Sequence, residues 1–153
     1  MRQTKAQQLT ELILKVFQLN GGLIDWGNKF SGPEGLTSAR WQMLGALALA
    51  GQPLTAPQIA TSMGVTRQGA QKQLNLLAQS GLIETRDNPL HKRSPLYGLT
   101  QQGKRTYSTI DKHWNAHVAQ VAAAFTSTDL DTTAKVLARL VNVYNHSEFD
   151  HET

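Results

Sequence analysis

Arg67, Gln68, Gln71 and Lys72 fall within six residues and carry the chemistry needed to read the edge of a nucleic-acid duplex. A guanidinium pairs two-pronged with guanine and a carboxamide with adenine, each good pair giving about 1–3 kcal/mol of discrimination against the wrong base. Lys72 suits a phosphate better than a base, and Thr66 stands just ahead of the group with a hydroxyl. Further on, His91, Lys92 and Arg93 lie between Pro89 and Pro95. Cations at the tip of such a loop suit an adjacent minor groove or the flanking phosphates, and Arg86 before the loop is a weaker candidate for the same work.

These side chains need a scaffold, and Leu54 to Thr100 supplies its pattern. Thr55 can cap a short helix that tolerates Pro57 in its first turn, where a missing N–H has no intrahelical partner. Ile59, Ala60 and Met63 give that helix an apolar side, and Gly64-Val65 makes a sharp turn. Thr66 then caps a second helix running through Ser80, closed by Gly81. Ala70, Leu74 and Leu77 share one face of it, while Arg67, Gln68, Gln71, Lys72 and Asn75 lie on or near the other. Leu82–Arg86 and Leu96–Leu99 read as short strands flanking the loop Asp87–Pro95. Two helices joined by a tight turn and followed by a basic hairpin form a winged helix-turn-helix, whose second helix enters a major groove.

At these residues the sequence resembles the MarR-type transcription regulators. The shared features are Leu36-Thr37 at a helix start, Gly64-Val65-Thr66-Arg67, Leu77…Gly81-Leu82-Ile83, Asn88-Pro89…Lys92-Arg93, and Leu99-Thr100…Gly103. The resemblance runs from about Leu36 to Lys104 and rests on the order and spacing of these pieces together. Where the family usually carries an acid two residues before the wing arginine, this chain has His91, so Arg93 lacks its customary carboxylate and Asp87 is the candidate substitute. The resemblance implies a homodimer whose first and last two helices interlock across a two-fold axis. It also implies a repressor that binds double-stranded DNA. Relatives commonly bind small aromatic or phenolic acids between the dimer helices and the reading head, which changes the spacing of the recognition helices. Here Trp26, Phe30, Trp41, Met43 and Trp114 would line that pocket, although aromatics at helical spacing are more often plain core.

Composition agrees with a polyanion partner. The 153 residues carry a net charge of +4, unevenly spread. Residues 41–110 hold seven Lys and Arg against two acids, whereas residues 111–153 hold three against six. The cationic excess sits on the reading head. With no cysteine, disulfides, thiolate metal sites and thiol redox sensing are excluded. The longest apolar run, Met43–Ala50, is too short to span a bilayer and the N-terminus lacks a signal-peptide apolar region, so a cytoplasmic protein with no membrane partner is expected.

The flanks read as helices. Apolar residues from Leu9 to Phe30 follow a helical stripe over Thr4–Phe30, with Glu11 and Lys15 spaced to pair and Gly21-Gly22 marking a kink or break. The stripe is wider than one neighbour needs, which points to a partner from another chain. Ser31–Gly35 reads as a loop, and Thr37 caps a central buried helix to Ala50 that Gly51 closes. Thr100 caps a helix over Gln101–Phe125, Thr128 starts a last one with Asp129 and Asp131 in its first turn, and the tail from Ser147 reads as frayed. By length this is one domain, mainly α with a small β-hairpin wing. Residues 1–30 and 101–146 would be dimerisation helices, and 36–100 the winged helix-turn-helix.

His113 and His117 stand one helical turn apart, a spacing that can hold a divalent metal. Zinc-sensing relatives add ligands from the first two helices, but Leu36–Leu49 offers no His, Cys or acid, so a partly buried histidine is the favoured reading. His113-Trp114-Asn115-Ala116-His117 also lacks the glutamate of a zinc protease. No nucleophile triad, phosphate-cradling loop or paired carboxylates occur in a catalytic context, so no enzyme and no cofactor are expected. The alternatives to a regulator that reads bases are a winged-helix protein–protein interaction module and a zinc-responsive regulator.

Overall fold

The computed structural model describes residues 1–145; the tail from Ser147 lies outside the described residues. Helix α1 spans Lys5–Ser31. Thr4 caps it, accepting from the Gln7 amide at 3.2 Å while the Gln7 side chain accepts from the Thr4 amide at 2.8 Å. The helix continues through Gly21-Gly22 without the expected break. Each glycine costs about 1 kcal/mol against alanine, which several turns of cooperative helix on either side override. Glu11 accepts from Gln3 at 2.6 Å and makes no ion pair with Lys15.

Between α1 and the next helix, Gly32–Glu34 forms a single 3-10 turn where the sequence reads as plain loop. Helix α2, Ser38–Ala50, is capped by Thr37 and closed by Gly51, as expected. Small polar side chains dock it on α1. The Ser38 hydroxyl donates to the Ile24 carbonyl at 2.6 Å, and the Ser38 amide donates to Asn28 Oδ1 at 2.8 Å. Met43, Leu44, Ala46 and Leu47 of α2 lie at the centre of the core.

Helix α3 covers Ala56–Met63, with Thr55 and Gln58 forming a capping box. Gly64 turns the chain at φ 66°, a left-handed conformation that L side chains rarely adopt. Helix α4, Arg67–Gln79, then seals Ala70, Leu74 and Leu77 completely against Leu44 and Ile59 in one apolar cluster. Strands β1 (Leu54–Thr55), β2 (Ile83–Arg86) and β3 (Leu96–Leu99) form an antiparallel sheet in the order β1-β3-β2. The two-residue β1 is absent from the sequence reading; its residues pair as Leu54↔Tyr97 and Thr55↔Leu96. Since side chains alternate across a sheet, Thr85 and Tyr97 share one face, and Glu84, Arg86 and Gly98 the other.

Helix α5 is Gln101–Ala122. Thr100 accepts from the Gly103 amide at 3.0 Å and donates to the Gly81 carbonyl at 2.6 Å, tying the helix start to the entrance of the wing. Gly103 presses on the Leu82 backbone, where a methyl group would overlap the carbonyl oxygen. Backbone cannot swing aside as a side chain can. Gly103→Ala is therefore expected to cost about 1–3 kcal/mol of stability, read as a lower midpoint in denaturant.

The helix stops at Ala122, short of the expected Phe125, because the Ala124 and Phe125 amides turn back to the Val121 and Ala122 carbonyls. Helix α6, Ser127–Asn145, is capped by Thr126, whose Oγ1 accepts from the Asp129 amide at 3.1 Å, so Thr128 lies inside it. The chain divides into two compact units, Met1–Asp111 and a second starting at Lys112 within α5. Among the described residues no helix is long and apolar enough to cross a membrane.

Candidate nucleic-acid interface

The first turn of α4 presents the candidate readers. Thr66 caps the helix, its exposed hydroxyl accepting from the Gly69 amide at 3.0 Å and keeping its O–H to donate. Arg67, Gln68 and Lys72 are exposed, on a helix whose opposite side is packed into the core. Neither Arg67 nor Lys72 is spent in an ion pair among the described residues.

Gln71 differs. Its amide nitrogen donates to the Tyr97 hydroxyl and to Asn75 Oδ1, both at 2.9 Å. Half-buried, it offers the carbonyl oxygen as its remaining polar group. Tyr97 itself is buried, so the recognition helix is tied to the central strand of the wing sheet by a hydrogen bond across 26 residues of sequence. Alternation along β3 places Tyr97 toward the core, but nothing local in the sequence announces this bond.

In the wing, Lys92 and Arg93 are exposed at the loop and unpaired among the described residues. Asp87 does not substitute as the partner of Arg93: no ion pair joins them. Asn88 organises the loop instead, donating from Nδ2 to the Ser94 carbonyl at 2.9 Å and accepting from the Leu90 amide at 3.1 Å. An asparagine before a proline favours turn initiation, which is the signal that marks it. Arg86 lies on the far face of the sheet, its guanidinium over the bare Gly98 and 3.2 Å from Glu84.

The aromatic residues fall into two groups. Trp26 stacks on Phe30 at 4.6 Å between ring centroids, and Phe30 tilts against Trp41 at 5.3 Å. Met43 is enclosed in the core. In the second unit, Trp114 tilts against the half-buried His117 at 5.8 Å, while His113 is exposed. Among the described residues no three His, Cys, Asp or Glu side chains gather as metal ligands.

Comparison with known proteins places this geometry. Residues 34–94 match the MarR family model. An uncharacterised protein of Mycobacterium tuberculosis is 37% identical over 136 residues, which cover 89% of this chain and 94% of that protein. Among solved structures, a MarR family transcription regulator is similar at TM-score 0.77 and 26% identity, covering 96% of this chain and 97% of its own. A mutant MarR from E. coli, complexed with operator DNA, shares the fold at TM-score 0.73 and 19% identity, covering 90% and 99%.

Proposed function

The chain belongs to the MarR family of transcription regulators, and from that premise we propose that it binds a pseudo-palindromic DNA operator as a homodimer and acts as a repressor in the cytoplasm. The observation that carries this reading is the exposed, unpaired set Arg67, Lys72, Lys92 and Arg93 on a helix and a wing whose other sides are packed or hydrogen-bonded. Arg67 and Gln68 read bases, Gln71 contributes its carbonyl, and Lys72, Lys92 and Arg93 hold phosphates or the adjacent minor groove. Arg86, paired with Glu84 on the sheet face opposite Tyr97, is the weaker candidate for the same contacts.

A second copy covers the apolar side chains that the single chain leaves in water, among them Leu14, Phe17 and Leu19 on α1 and Leu130, Val141 and Tyr144 on α6. Pairing would put the two recognition helices into successive major grooves, with half-sites about one helical turn apart. A small aromatic ligand seated against the Trp26–Phe30–Trp41 stack releases the operator by favouring a conformation with a different head spacing.

The test is selection of bound duplexes from a genomic library, followed by binding at several salt concentrations. A set of related, two-fold symmetric sites is expected, with affinity falling steeply as salt rises. Failure to bind any duplex at low salt would leave a protein–protein interaction module as the better reading. Lys92→Ala and Arg93→Ala are each expected to lower affinity on every duplex and to reduce the salt slope by about 0.9. An unchanged slope removes that residue from the interface.

A further inference from the structure

A free glutamine offers a base two prongs, an N–H donor and a carbonyl acceptor. Gln71 has one of them left. Its two Nε2 hydrogens are taken at 2.9 Å each, by the Tyr97 hydroxyl and by Asn75 Oδ1. The Tyr97 anchor is fixed. Its side chain is 5% exposed, and it stands on β3 between Leu54 of β1 and Thr85 of β2. Gln71 itself follows the sealed Ala70 on α4, so the helix holds its Cα and the sheet its nitrogen.

On the duplex-reading role of α4 given above, we propose that Tyr97 is a positioning residue for base reading. It holds Gln71 as an acceptor only, so that each half-site is read at one position as adenine or cytosine and against guanine or thymine. Adenine N6 and cytosine N4 put an amino group into the major groove, whereas guanine O6 and thymine O4 put an oxygen there. An oxygen facing the Gln71 carbonyl has no hydrogen to share, and both groups lose water without a replacement bond. An unrestrained glutamine escapes this by turning its amide end for end. In Gln71 that turn would set its oxygen against Asn75 Oδ1 and require Asn75 and Tyr97 to reorient with it.

The test is competition binding of the full chain to a selected operator with each half-site base pair replaced in turn. Gln71→Ala identifies the position read, as the one where discrimination disappears. There the exocyclic amine of adenine or cytosine is deleted and, in a separate duplex, the carbonyl oxygen of its partner base. Either deletion removes the same base-pairing bond, so the two differ only in the group shown to the protein. Losing the amine is expected to weaken binding about tenfold or more, and losing the oxygen about threefold or less. Tyr97→Phe frees one N–H of Gln71 and keeps the ring in the core; Asn75→Ala, at an exposed position, frees the other. In each variant the two deletions are expected to converge to within about threefold. A costlier oxygen deletion, a wild-type pattern in both variants, or a Gln71→Ala protein that discriminates at every position as before would each overturn the proposal and leave DNA reading by α4 standing. Absence of binding to any duplex would remove both.

Discussion

Alanine at both Arg67 and Gln68 is expected to weaken binding to a selected operator about 100-fold or more, with much smaller losses on random duplex. Each two-pronged base contact gives about 1–3 kcal/mol of discrimination, and two lost together multiply. The folded state should survive. Both positions are exposed, they come directly after the Thr66 cap, and alanine has the highest helix propensity, so α4 keeps its start and its sealed Ala70–Leu74–Leu77 face. Competition binding with specific and random duplexes, at one salt concentration, separates the two losses. An equal drop on both would mean that these side chains touch only the backbone of the duplex.

Phe17→Glu carries the other large expectation, loss of the proposed dimer. Phe17 is 70% exposed in the single chain, so the substitution leaves the fold of one subunit untouched. Across the proposed two-fold axis the change occurs twice, each copy forfeiting about 2–3 kcal/mol of apolar burial and placing a charge in a seam of apolar side chains. Dimer dissociation should rise on the order of 1,000-fold, visible by sedimentation as a monomer at micromolar concentration. Operator affinity should fall with it, because the second head loses the effective concentration that pairing confers. A Phe17→Glu protein that stays dimeric would move the interface away from this face of α1.

Helices α2, α3 and α4 are legible in the sequence because each end carries its own chemistry. Thr37, Thr55 and Thr66 satisfy free amides, and Gly51, Gly64 and Gly81 take left-handed closures at φ 65°, 66° and 75°. The same logic fails at α6, where hydroxyls at both Thr126 and Thr128 compete and only the fold decides between them. Strand β1 is hidden because two residues cannot display an alternation, and Thr55 serves as both strand and cap. Periodicity places Gln71 on the polar side of α4, yet its amide is committed to Tyr97, a partner that only the completed sheet brings near. Local signals thus mark out the reading head, while the contacts that tune it belong to tertiary structure.

The account rests on two subunits setting two recognition helices against successive turns of one duplex. Hydroxyl-radical footprinting on a selected operator tests it most directly. Two protected patches related by a dyad, their centres about one helical turn apart, are expected. A single protected half-site at saturating protein would contradict it.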